Sequence, residues 1–177
     1  MHKRLTLSSL CLLTIASAVL PLAGCKKDES QQTNFQMGER VIATPLVYNV
    51  VQTVWRTQLG NLFKVQVPEH RYLQISLSAI NNGGRPVTVP FFTLEGSNRE
   101  EYHELQNGDA VDNWFGLLRE IAPGETRLGN IVFDVPLASY RLRLTNGGEP
   151  GSERLVWVDI PLRIDTDTGV TTPLPGQ

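Results

Sequence analysis

From Tyr72 to Ile80 the chain alternates without a break. Leu73, Ile75, Leu77 and Ala79 stand at every second position, with Gln74, Ser76 and Ser78 between them. A period of two is the repeat of a strand with one buried face and one wet face. Such a strand needs neighbours on both sides and a second layer against its apolar face. The rest of the sequence offers both. Strand-like runs cover Val41–Ala43, ended by Pro45, then Leu46–Thr57, Pro86–Val89, Phe92–Glu95, Glu101–Glu104, Leu128–Val135, Tyr140–Leu144 and Leu155–Ile164. Turn signals separate them at Asn81–Gly84, Gly96–Asn98, Ala122–Glu125 and Asn146–Gly148. In Ala122-Pro123-Gly124-Glu125, Pro at the second place and Gly at the third fit a type II turn. Roughly eight short strands at this spacing predict an all-β, antiparallel β-sandwich. Pro161 predicts a sheet edge or a bulge in the last strand. Asp112–Leu118 reads as a loop or as one helical turn.

The N-terminus is of a different kind. His2, Lys3 and Arg4 precede an apolar run from Leu5 to Leu20, and Leu22-Ala23-Gly24-Cys25 follows. A basic start, an apolar stretch and a small-residue cleavage site make a secretory signal. The run of 16 residues is short for a membrane span. Leu-Ala-Gly-Cys resembles a lipobox, which makes Cys25 the lipidation site and the first residue after cleavage. Two or more acyl chains hold a protein stably on a bilayer, whereas one holds it marginally. The expected organisation is a lipoprotein signal peptide over residues 1–24, lipidated Cys25 with a polar tether over 25–36, a sandwich over 37–164, and a disordered Pro/Thr/Gly-rich tail over 165–177. The residue after Cys25 is Lys26 rather than the Asp that resembles an inner-membrane retention signal. By that resemblance the destination is the outer membrane, where the organism has one.

Cleavage removes Cys11 and lipid consumes Cys25, so no cysteine remains for a disulfide, a thiolate nucleophile or a zinc site. Loss of the leader leaves 153 of the 177 residues, enough for one domain with a proper core. Of 16 Lys+Arg and 18 Asp+Glu, Lys3 and Arg4 go with the leader, for a net charge of −4. The remaining basic residues are scattered, which argues against nucleic acid as a partner.

Motifs for catalysis are missing. Gly-x-Ser-x-Gly, His-Glu-x-x-His and P-loop patterns do not occur. Glu101 and His103 share a face of a strand and could hold a transition metal with Asp109, but two ligands are no signature, and the pair reads as a solvated, mixed-charge strand edge. Asp165–Gly169 resembles the start of a calcium loop, yet lacks its closing glutamate. No metal and no cofactor is expected. Trp114 and Phe115, between Asn113 and Gly116, are the interaction candidates; Phe91-Phe92 is a second pair. Aromatic pairs on loops anchor partners, and they also cap open sandwich ends as core.

Several segments occur together in a familiar order. These are Met37-Gly38-Glu39 before a Val-rich strand, Tyr72–Asn82, Pro86–Val89, Phe92–Gly96 and Ile121–Thr126, followed by Gly129 and Ile131–Pro136. The arrangement resembles the bacterial lipoprotein family that carries a telokin-like, immunoglobulin-type domain of unknown function. It spans about residues 37–164. The resemblance implies an immunoglobulin-like sandwich at the cell envelope and supplies no catalytic residues. The resulting expectation is a non-enzymatic, lipid-anchored interaction or accessory module. It would be held to the membrane through Cys25, face the periplasm and bind an envelope protein. The alternative is a periplasmic ligand- or metal-binding domain.

Overall fold

Leu73, Ile75, Leu77 and Ala79 are buried and Gln74, Ser76 and Ser78 are half-buried, as the alternation requires. The strand they belong to is the centre of one of two main sheets in a computed structural model. The structure describes residues 32–61, 63–117, 119–148 and 153–163. The expected signal peptide, the expected lipidation site Cys25, most of the expected tether and the 165–177 tail lie outside the described residues.

Among the described residues there are thirteen strands and no helix. They are β1 (Asn34–Gln36), β2 (Arg40–Ala43), β3 (Leu46–Arg56), β4 (Leu59–Asn61), β5 (Lys64–Gln66), β6 (Tyr72–Asn81), β7 (Val87–Thr88), β8 (Thr93–Glu95), β9 (Glu101–His103), β10 (Glu120–Ile121), β11 (Thr126–Asp134), β12 (Tyr140–Thr145) and β13 (Leu155–Ile160). One sheet has the order β1-β13-β12-β8-β9 and the other β11-β6-β3-β2, with two-stranded ribbons β10-β7 and β4-β5. The fold is an all-β sandwich. All pairings between strands are antiparallel except β1 with β13.

The core lies between the two main sheets. Tyr48 and Val50 of β3, Ile75 and Leu77 of β6, and Ile131 and Phe133 of β11 face Leu94 of β8, Leu142 and Leu144 of β12, and Val156 and Val158 of β13. Each such side chain contributes about 1.5–3 kcal/mol through burial. Two tyrosines stitch the layers. Tyr48 Oη donates to the Thr145 carbonyl at 2.7 Å, across the sandwich. Tyr140, at the start of β12, donates to the Pro136 carbonyl four residues upstream at 2.6 Å. That is the tyrosine-corner arrangement of immunoglobulin-type sandwiches.

The Ala122–Glu125 turn forms as expected. Glu125 N donates to the Ala122 carbonyl at 3.0 Å, and Gly124 has φ +76°. Other expectations change. The tether does not extend to residue 36. Asn34–Gln36 pairs with Trp157–Asp159, and Phe35 is in the core, because an apolar residue between polar ones suffices for a short edge strand. Pro161 marks neither an edge nor a bulge; β13 is internal to its sheet and ends at Ile160, just before the residue that cannot donate to a ladder. The β4-β5 ribbon was not expected.

The outer face of the four-stranded sheet is only partly wet. A second apolar cluster of Leu59, Tyr72, Val111 and Val132 lies there, with Leu105, Ala110 and Trp114 packed against it. The β4-β5 ribbon and the loop after β9 supply its cover.

Candidate functional site

The loop from Leu105 to Arg119 leaves β9 and returns into β10. A buried ion pair closes its neck. Arg119 Nη1 and Nη2 donate to Glu104 Oε1 and Oε2, each at 2.7 Å. Glu104 Oε1 also accepts the Phe92 N–H at 2.6 Å. Arg119 Nε donates to the Gly116 carbonyl, and Nη1 to that of Pro90 at 3.2 Å. The guanidinium carbon lies 4.7, 5.2 and 5.3 Å from the ring centroids of Phe91, Phe92 and Phe115. A buried pair is tolerated when its hydrogen-bonding capacity is satisfied. No buried side-chain N or O atom among the described residues lacks a partner.

Trp114 and Phe115 belong to this closure. They are consecutive on an extended segment, so their side chains leave in opposite directions. Phe115 enters the main core and packs edge-on against Phe92, with centroids 5.7 Å apart. Trp114 packs on the second cluster, over Gly108, where a Cβ would stand 1.8 Å from its ring. Phe115 is therefore not an exposed contact, and Trp114 is half-buried. Of the second pair, Phe92 is core and Phe91 is exposed. The segment lies alongside β11. Asn130 N donates to the Asn113 carbonyl at 2.8 Å, and Phe115 N to the Asn130 carbonyl at 2.9 Å. Gly129 permits this approach, since a Cβ there would be 2.7 Å from Phe115 Cα.

Pinned in this way, Asn113 becomes one wall of a groove of about 490 Å³ on the uncovered part of the four-stranded sheet. Ser76, Leu77 and Gly129 contribute to its lining. Val51 and Leu128 line it too, exposed at 62% and 72%. Val51 sits at a β-bulge, where the register with β6 shifts between Val50 and Gln52. A bulge adds one unpaired residue and re-aims side chains, so Val51 and Gln52 are both exposed. The polar groups of the groove are tied to one another: Ser76 Oγ donates to Asn130 Oδ1 at 2.6 Å, and Asn130 Nδ2 to the Asp112 carbonyl at 2.7 Å. The lining residues do not titrate.

A second groove, also about 490 Å³, lies on the five-stranded sheet beside Glu95, Tyr140, Arg141 and Asp159. Exposed Arg99 lines it as well, while other polar groups bond within the sheet. Glu95 accepts from Arg141 at 2.9 Å and from Trp157 Nε1 at 2.8 Å, and Asp159 from Gln36 at 2.7 Å. Burial pushes the Tyr140 hydroxyl up to about 12, with Tyr102 and Glu100 adding to the effect. Burial also raises Tyr48 and Tyr72. The Asn98 amide holds the Glu100 carboxyl below its ordinary range.

The residues considered for a metal go separate ways. Glu101 pairs with Arg143 at 2.6 Å, Asp109 with Lys64 at 3.1 Å, and His103 Nδ1 faces Thr93 Oγ1 at 3.5 Å. Among the described residues, no three His, Cys, Asp or Glu side chains converge. Glu104, Arg119, Val51 and Leu128 were not singled out from the sequence. Arg119 stands beside Glu120 between Leu118 and Ile121, a pattern that does not mark it as buried.

The chain is similar in fold to yjhA of Bacillus subtilis, at 14% identity and a TM-score of 0.55, with 71% of this chain and 98% of that one covered. A functionally unknown protein of Listeria monocytogenes EGD-e gives 12% identity and a TM-score of 0.54, covering 71% and 82%. The candidate lipoprotein ycdA of Bacillus subtilis subsp. subtilis str. 168 gives 17% and 0.51, and the match covers 70% of this chain and 38% of ycdA. No curated protein matches the chain significantly. The model of a domain of unknown function, DUF4352, matches residues 35–155, from the core residue of β1 to the start of β13, and the chain belongs to that family.

Proposed function

We propose that this protein is a lipid-anchored, extracytoplasmic interaction module, and that the groove beside Val51 and Leu128 receives an apolar side chain of an envelope protein. The observation that carries the reading is the pair of exposed aliphatic side chains flanking a groove whose wall is fixed from behind. Exposed apolar groups around a concave, pre-formed site are what partner recognition uses. In the other groove, the Glu95–Arg141 ion pair would have to open before either group could bind a charged ligand. The non-enzymatic reading rests on the lining itself, which offers no acid, base or activated nucleophile. Anchoring rests on the Leu22–Cys25 motif and on the described nature of ycdA. Lys26 favours the outer membrane.

The test is site-specific photo-crosslinking in native membranes. A photoreactive residue at Leu128 is expected to trap a discrete protein, and one at exposed Gln52, outside the lining, to trap much less. Equal labelling from both positions contradicts the assignment. In the same cells, Cys25→Ser is expected to lose incorporation of an alkyne fatty acid; label retained on the variant contradicts the anchor.

A further inference from the structure

The turn between β8 and β9 breaks the rule of its own geometry. Arg99 N donates to the Gly96 carbonyl at 3.1 Å, and Gly96 N to the Glu100 carbonyl at 2.8 Å. Arg99 has φ +67°. A three-residue hairpin loop of this kind closes on a left-handed residue, and glycine is the residue that takes that conformation freely. An arginine there is strained, and nothing inside the molecule offsets the strain. Arg99 is exposed, and its side chain has no hydrogen bond or ion pair with another described residue. A strained residue at a concave surface points to a ligand. Arg99 lines the groove of about 490 Å³ on the five-stranded sheet. Asp159 of β13 lines the same groove from the far side of β12. Register gives Arg141 both Asp159 and Glu95 as neighbours, one on each flank, and Arg141 pairs with Glu95 at 2.9 Å. Half-buried Asp159 keeps only the Gln36 amide, on Oδ2, and no cation among the described residues. One groove therefore holds a free guanidinium and an uncompensated carboxylate that do not meet.

We infer that this groove binds a short peptide with free ends, its terminal carboxylate on Arg99 and its terminal ammonium on Asp159. Charge selects a zwitterion. An anion alone meets Asp159 and Glu95, and a cation alone meets Arg99 and Arg141. The Glu95–Arg141 pair stays closed, because the two unpaired groups receive the ligand. Span selects a peptide over a single amino acid. β13 and β8 stand two strand spacings apart, about 10 Å, and Arg99 follows the end of β8. An extended tripeptide spans about 10 Å, whereas a free amino acid carries both charges about one Cα. A guanidinium fork donates two parallel hydrogen bonds to a carboxylate. Ile160 and Pro161 add apolar lining for the peptide's side chains, and the volume is that of a small-ligand cleft. No lining residue is shared with the groove beside Leu128, so the two sites are separate.

The experiment is isothermal titration calorimetry of the full chain in detergent micelles with tri-alanine. Tri-alanine is expected to bind. Its N-acetyl and C-amide forms are each expected to bind about tenfold more weakly, as loss of a hydrogen bond to a charged group implies. Arg99→Gly is expected to lose tri-alanine binding without a fall in melting temperature, because glycine takes φ +67° freely. Asp159→Asn is expected to bind tri-alanine and its N-acetyl form equally weakly, and Arg99→Gln to stop distinguishing tri-alanine from its amide. These matched losses assign each end of the peptide to one residue, which a loosened fold would not do. The inference is overturned if tri-alanine gives no binding heat at millimolar concentration, if the blocked peptides bind as well as the free one, or if the variants bind as the unsubstituted chain does. Free alanine or phosphoethanolamine binding as tightly as tri-alanine overturns the peptide as the ligand class.

Discussion

Arg119 is the residue on which the loop depends most. Its charge is buried, and each contact it makes ties a different stretch of chain: Pro90 before β8, Glu104 after β9, and Gly116 within the loop. Removing one member leaves the other charged and buried, which typically costs about 3–5 kcal/mol, whereas replacing both with apolar residues of similar volume costs far less. Urea unfolding of Arg119→Met, Glu104→Met and the double variant is expected to give two large losses and a strongly non-additive sum. Tyr140 predicts a pH dependence. Its folded-state value of about 12 lies above its ordinary 10.0, so its contribution is complete below pH 10 and is lost as pH rises towards 12. In that window it steepens the loss by up to about 1.4 kcal/mol per pH unit, and Tyr48, raised as well, acts in the same direction. Tyr140→Phe is expected to cost about 1 kcal/mol at neutral pH through its lost hydrogen bond, and to flatten the alkaline slope of stability measured by denaturant titration.

At the scale of the elements, what could be read was what repeats. β6 has a strict period of two, and the turn before β11 has the residues its geometry demands. The loop after β9 has no period. In Trp114-Phe115 two adjacent aromatics serve two different cores, one inside the sandwich and one outside it, and nothing local to the sequence distinguishes that from an exposed pair. The same limit hid the ribbon, whose buried anchor among the described residues is Leu59. It also changes the expectation for Ser76. On the alternation alone it is a wet-face residue, but its hydroxyl bonds Asn130 and supports the groove. Phe115→Ala is expected to cost about 3–5 kcal/mol, as large-to-small core changes do. Ser76→Ala is expected to cost about 1 kcal/mol. Thermal or urea unfolding that finds Phe115→Ala nearly neutral would mean that the loop does not close as described.

For the whole molecule, the sandwich serves as a rigid frame with most of its surface settled internally. Glu95, Glu101, Arg141 and Arg143 of the five-stranded sheet pair with one another, and part of the outer face of the four-stranded sheet lies under the ribbon and the loop. The part left open is the groove between Val51 and Leu128. Its wall is held by a buried ion pair, by Phe115 in the core and by Trp114 on Gly108, so the recognition surface needs no ordering when a partner arrives. This separates two roles that one loop would otherwise confuse: Trp114 and Phe115 keep the wall in place, while Val51 and Leu128 meet the partner. The measurement that tests this most directly is the yield of crosslinked partner from native membranes for Val51→Asp/Leu128→Asp, taken with its melting temperature. The account predicts that capture is lost while stability stays within about 0.5 kcal/mol per exposed site. Undiminished capture by this folded variant would contradict it.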